Sequence, residues 1–144
     1  YLPEGPAVNA GLTDKKKRSG KRSLFLKCRR GDPYYGFVQR VPVEEGKTYH
    51  FSAYLINGSG EEALTGNSHG CLSLQWHDKS GTEISRVASN SWRAGLSDSE
   101  WHCFAVEEEA PPGANHCSCA ITLFSSGSRG KGIFYIDDCE FESF

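Results

Sequence analysis

Short runs of alternating apolar and polar residues recur along this chain, each closed by turn-forming residues. The clearest is 48–55, where the two-residue period of a pleated strand puts Tyr49, Phe51, Ala53 and Leu55 on one face and Thr48, His50, Ser52 and Tyr54 on the other. The first face suits a core. The second mixes hydroxyls, an imidazole and a phenol, which suits contact with a polar, ring-shaped ligand better than catalysis. Comparable segments lie at 23–28, 36–43, 71–77, 101–108, 116–124 and 133–141. Between them stand Gly31-Asp32-Pro33, Glu45-Gly46, Asn57-Gly58-Ser59-Gly60, Lys79-Ser80-Gly81, Pro111-Pro112-Gly113 and a glycine-rich stretch at 127–132, all turn chemistry. No window of eleven or more residues carries a 3.6-residue apolar period, so the pattern predicts an all-β chain folded as a two-sheet antiparallel β-sandwich. The stretches 58–70 and 89–100 read as loops.

At 144 residues the chain is one domain, able to bury roughly two thirds of its unfolded surface, with residues 1–18 read as a loop-like lead-in. It is 38% hydrophobic and 24% charged, and no apolar run approaches membrane-spanning length. It starts at Tyr1 without a basic-then-apolar leader, which reads as a domain of something longer. Six cysteines lie in strand-like segments at 28, 71, 103, 117, 119 and 139. They favour disulfides and an exported, secreted or cell-surface protein, although fifteen pairings are open and buried free thiols are the other reading. A hairpin between the strands at 101 and 117 would set Cys103 opposite Cys119, and chain-end strands would bring Cys28 near Cys139.

Several strings occur in order: Ser19-Gly20-Lys21-Arg22-Ser23-Leu24, Phe37-Val38-Gln39, Glu45-Gly46-Lys47-Thr48-Tyr49, Phe51-Ser52-Ala53-Tyr54, Asp78-Lys79-Ser80-Gly81, Trp101, Ala110-Pro111-Pro112-Gly113-Ala114 and Tyr135-Ile136-Asp137-Asp138. Through this ordered set the chain resembles carbohydrate-binding modules of the family 4, 9 and 22 type, galactose-binding-like jelly rolls. The resemblance covers nearly everything after residue 18, and the amino-terminal Asn-Pro-Gly-Phe-Glu pattern of such modules is not in the chain. It implies a polysaccharide or oligosaccharide ligand, held on a concave sheet face or at edge loops, and a module that is part of a larger multidomain, glycan-active enzyme. It also implies a structural calcium at Asp137 and Asp138, with backbone oxygens around Lys21 and with Glu4 as the stand-in for an amino-terminal ligand. A salt bridge to Arg22, or a strand-end turn, is the other reading of these aspartates.

A pyranose offers apolar C–H faces to aromatic rings and hydroxyls to amides and imidazoles. The candidates away from the core are Tyr54 and His50 on one strand, Gln75 and His77 on the next, and Thr122 and Phe124 on a third, with Tyr35 and Gln39 beside them. Trp92, in a polar loop, reads either as a stacking platform or as a loop residue packed back on the sandwich. Trp76, which shares its face with Leu72 and Leu74, and Trp101 read as core.

Nine of the sixteen Lys and Arg residues fall within 15–30 although the net charge is −2, so an anionic glycan could engage this stretch, or it is a solvated loop. An acidic chain with no helix for a groove and no aromatic nucleic-acid motif does not fit nucleic acid, and nothing in it suits membrane insertion. Adjacent carboxylates at Glu107-Glu108-Glu109 and Glu61-Glu62 face apart on a strand, and no nucleophile elbow, zinc-protease helix or phosphate loop occurs, so the chain reads as non-catalytic. Arg30-Gly31-Asp32 sits in turn chemistry, and Asn57-Gly58-Ser59 has the form of a glycan acceptor for a secreted eukaryotic chain. A protein-interaction or adhesion domain on the same sandwich is the alternative function.

Overall fold

The alternation becomes nine strands: β1 Ala10–Thr13, β2 Ser23–Cys28, β3 Tyr34–Pro42, β4 Thr48–Asn57, β5 His69–His77, β6 Glu83–Ala88, β7 His102–Glu109, β8 His116–Phe124 and β9 Gly132–Ser143. The structure is a computed structural model describing residues 10–28, 34–124 and 130–144, with the side chains of 34 and 35 set aside. A five-stranded sheet in the order β1-β2-β9-β4-β7 faces a four-stranded sheet in the order β3-β8-β5-β6, all pairs antiparallel. The two-sheet sandwich expected from the alternation is the observed fold.

Between the sheets, Leu26, Phe51, Ala53, Leu55, Phe134 and Ile136 meet Leu72, Leu74, Trp76, Cys117, Ile121 and Leu123. Full burial of each large aliphatic or Phe side chain contributes about 1.5–3 kcal/mol. The largest member, Trp76, keeps its N–H satisfied by donating to Glu108 Oε1 at 2.8 Å. Trp101 packs differently, against Ile56, Ile133 and Tyr135 on the outer side of the five-stranded sheet.

Trp92 overturns the stacking-platform expectation. Its segment bonds to β5 through Gly70, with Trp92 N–H donating to Gly70 O at 3.0 Å and Gly70 N–H to Trp92 O at 2.9 Å. The indole is only 2% exposed and packs edge-on to Phe104 and Phe134, with centroids 4.9 and 5.1 Å away. The missing side chain of Gly70 makes the room, since a Cβ there would lie 2.3 Å from the indole nitrogen. The polar loop sequence hid this because the glycine that accepts the ring lies about twenty positions away.

Other expectations also needed correction. The lead-in contains a strand, β1, paired with β2 from Ala10↔Leu26 to Thr13↔Ser23. The pattern missed β6, an edge strand with only Val87 and no other residue even partly buried. The 101–117 hairpin does not form: β7 pairs with β4, while β8 lies between β3 and β5. Cys103 is therefore in the opposite sheet from Cys119, Cys28 pairs in register with Gly132 rather than nearing Cys139, and no disulfide joins any cysteine pair. Asn57 is no surface glycan acceptor. It is 2% exposed, donates to Ala94 O and Leu96 O and accepts from Leu64 N–H, tying together both long loops. Arg30-Gly31-Asp32 lies outside the described residues.

One irregularity positions chemistry. Between Ser52↔Glu140 and Tyr54↔Asp137, β9 carries an extra residue, and Asp138 sits at φ 50°. This β-bulge turns two successive aspartates toward the outer side of the five-stranded sheet, in a left-handed conformation that Asp tolerates better than most residues.

Replacing Gly70 by Ala forces the indole or β5 to move, and is expected to lower stability by about 1–3 kcal/mol in urea unfolding. An unchanged unfolding midpoint would contradict the described packing of Trp92.

Candidate functional site

Register decides which polar residues share a surface. Directly opposed residues of an antiparallel pair lie on one face, so the outer face of the β5–β8 pair reads His69↔Phe124, Cys71↔Thr122, Ser73↔Ala120, Gln75↔Ser118 and His77↔His116. β3 extends these rows with Gly36, Val38, Arg40 and Pro42, and β6 extends them with Ala88, Arg86 and Glu83.

The result is a shallow trough. Its centre is sunken because Ser73, Ala120 and Ser118 are short and nearly covered, at 7%, 1% and 4% exposed, beside a rim where Val38 is 51% exposed. Ring pairs close both ends. His69 stacks on Phe124 with centroids 5.1 Å apart, and His77 stacks on His116 at 4.9 Å with planes only 5° apart. At about 3.3 Å per residue, the eight residue steps from His69 to His77 span about 26 Å. Gln75 Nε2 donates to Ser73 Oγ at 3.2 Å, and Ser118 Oγ lies 3.4 Å from His77 Nε2. An amide, hydroxyls, imidazoles and ring faces on one surface match the chemistry of a sugar chain better than that of a catalytic centre.

The site candidates divide among several places. Gln75, His77 and Phe124 come together on the trough, with Thr122. Tyr54 and His50 are on the outer face of the other sheet, across the sandwich. Nor is the Tyr54 ring free for stacking, because the Arg18 guanidinium lies 3.5 Å from its centroid. His50 meets Phe144 edge-on and stands in register between Glu107 and Glu142. Gln39 is opposite Cys119, on the inward register of β3. It opens on an apolar recess of about 420 Å³ at the sheet margin, lined by Phe37, Val41, Phe51, Ile121 and Phe141. That recess is an underfilled edge of the core, sharing Val38 with the rim of the trough. Tyr35 pairs in register with Leu123, and its side chain is outside the described ones. Sequence reasoning missed His69, Ser73, Ser118 and Arg40. The alternation His69-Cys71-Ser73-Gln75-His77 was a usable signal, but only register joins it to Ser118 and Thr122.

Three of the nine cations of the basic stretch are engaged within the molecule. Lys15 Nζ donates to Glu62 Oε1 at 2.6 Å, while Lys16 Nζ reaches Asn57 O, Ser59 Oγ and Asp98 O at 2.7, 2.8 and 3.0 Å. Arg18 bonds Asp138. These three cations have partners within the molecule, so an anionic-glycan reading would rest on the rest of the stretch.

At the expected calcium position the two aspartate carboxylates are met by hydrogen-bond donors. Asp137 Oδ2 accepts from the backbone N–H groups of Arg18 and Ser19, at 2.8 and 3.1 Å. Asp138 receives the Arg18 guanidinium and the Ser19 hydroxyl. The loop meets both carboxylates through donors at Arg18 and Ser19, not through Lys21, and Glu4 is outside the described residues. No group of three or more His, Cys, Asp or Glu side chains suited to a metal occurs among the described residues.

Solved structures share this architecture. The enzymatically active domain of tailspike protein 4 from bacteriophage CBA120 matches with a TM-score of 0.70 at 14% identity, over 94% of this chain and 18% of that one. The CBM22-1 xylan-binding domain of Paenibacillus barcinonensis Xyn10C matches at 0.66 and 17% identity, over 93% of this chain and 80% of that one. Another xylan-binding domain of family 22 matches at 0.64 and 21% identity, covering 95% and 82%. No family model and no curated protein matches the sequence. What this likeness establishes is the fold, a two-sheet antiparallel β-sandwich.

Burial, then the nearby Arg40 and His77, hold the His116 imidazole below its ordinary value of 6.5, with Asp78 opposing them weakly. A base with a depressed folded-state pKa leaves the unfolded chain to take up protons first, so stability falls as pH drops through about 6.5. The thermal midpoint of the wild type should decline between pH 7 and 5, and His116→Gln should flatten that decline. A wild-type profile level across this window would contradict the assignment.

Proposed function

We propose that this chain is a non-catalytic module that binds an oligo- or polysaccharide along the outer trough of its four-stranded sheet. The observation that carries this is the set of five registered rows, in which Thr122, Ser73, Gln75 and Ser118 lie between stacked rings at both ends, around a central row of small and apolar residues. Gln75 and Thr122, half-buried, supply donors and acceptors for hydroxyls, while the nearly covered Ser73 and Ser118 contact Gln75 and His77 from the floor. The Phe124 and His77 ends supply apolar area at low conformational cost. Several of the matched structures are xylan-binding domains, which makes xylo-oligosaccharides the first ligands to test.

The module would sit within a larger exported, glycan-active protein, raising the effective concentration of its partner domains on a polysaccharide surface. Among the described residues, no helix is long and apolar enough to cross a membrane. Arg40, exposed beside Ser118, supports a reading in which a uronic substituent on a xylan chain meets a cation on this face.

Affinity electrophoresis in gels containing xylan, glucuronoxylan or an unrelated neutral polysaccharide tests the reading. The wild type should be retarded by a xylan, and Gln75→Ala or Phe124→Ala should weaken binding about tenfold, equivalent to about 1.4 kcal/mol. Tyr54→Ala should leave retardation unchanged. Absence of retardation by every polysaccharide, or equal retardation of the trough variants, would overturn the proposal and favour a protein-binding role.

A further inference from the structure

We propose that Arg18 is the resident cation of the acidic corner on β9, holding Asp137 and Asp138 as a metal would in modules of this type and making the fold independent of calcium. The argument rests on which atoms face the carboxylates. Asp137 Oδ2 accepts two consecutive backbone N–H groups, and its Oδ1 accepts the N–H of Asp138 at 2.9 Å. Consecutive N–H groups form an anion cradle, the opposite polarity to a ring of carbonyls around a cation. Asp138 is equally engaged, with its Oδ2 2.7 Å from the Arg18 guanidinium and its Oδ1 accepting the Ser19 hydroxyl.

A calcium ion requires six to eight oxygens at about 2.3–2.6 Å. Here the nearest positive charge is already a guanidinium in contact with the carboxylate, and a second cation at that distance would be repelled by it. The guanidinium is fixed from its other side by the Tyr54 ring, at 3.5 Å. Together these contacts hold Asp138 in its left-handed conformation at φ 50°, which otherwise carries a backbone cost. The Ser19 hydrogen bond, then Arg18, keep the Asp138 carboxyl below its ordinary range.

Lys16 repeats the arrangement two residues earlier. Its ammonium donates to two backbone carbonyls and one hydroxyl and lies 5.6 Å from the centroid of the Tyr135 ring. Three oxygens of the kind a hard metal would use are thus filled by a side-chain ammonium. The segment 14–20 becomes a strap across the outer side of the five-stranded sheet, fastened by its own charges over Tyr54 and Tyr135.

The test uses the 144-residue chain without saccharide, so its outcome is separate from that of the trough proposal. Thermal unfolding is followed in EDTA and in millimolar calcium chloride, and terbium chloride is titrated as a luminescent calcium mimic. The wild type should show one midpoint in both buffers and no sensitised terbium emission. Arg18→Gln should lower the midpoint by about 2–4 °C. Arg18→Lys, which keeps the charge and loses the planar fork, should fall between them and guards against a variant that fails to fold. A calcium-dependent rise of the wild-type midpoint, saturable terbium emission, or an Arg18→Gln variant as stable as the wild type would each overturn the proposal.

Discussion

The pairing of β5 with β8 governs the rest of this molecule. Both are interior strands of the four-stranded sheet, and their register sends Leu72, Leu74, Trp76, Cys117, Ile121 and Leu123 inward. The same register sends His69, Gln75, His77, Ser118, Thr122 and Phe124 outward as one surface. Core and trough are therefore two sides of one constraint. A slip of one residue would exchange them entirely, and the loss of apolar burial forbids that slip.

The two outer faces have diverged chemically. On the four-stranded sheet the ring side chains contact one another in stacked pairs at the two ends and leave a sunken floor of small side chains between them. On the five-stranded sheet the strap at 14–20 crosses the surface, and its lysine and arginine occupy carbonyls, carboxylates and the Tyr54 ring. Beyond the strap that face carries Glu107, Glu109, Glu140 and Glu142 in register around His50 and Ser52, a charge pattern in which the ring contact is His50 edge-on to Phe144 rather than a stacked pair. The contrast is why one face is assigned to saccharide and the other to architecture.

Strands whose two faces differ in polarity were legible in the sequence; β8 and β2 have the boundaries that alternation predicts. The edge strand β6 was not, because its residues are exposed on both faces and leave no two-residue signature. Site residues were legible only as members of faces. Alternation correctly put Tyr54 and Gln75 away from the core, yet nothing local tells that β4 and β5 belong to different sheets. Trp92 and Arg18 show the same limit in another form. The glycine that accepts the indole and the tyrosine that receives the guanidinium are distant in sequence, and long-range packing decides both. The disulfide expectation failed for a related reason: strand order, which separates Cys103 from Cys119, is not written in the spacing of cysteines.

The central claim is that one sheet face, defined by the β5–β8 register, meets the ligand. Backbone amide chemical shifts recorded by NMR during titration with a xylo-oligosaccharide test it residue by residue. The account predicts saturable shifts concentrated in β5, β8 and the facing rows of β3 and β6, with β4, β7 and the strap silent. Shifts centred on the five-stranded sheet, or no shifts at millimolar saccharide, would contradict it.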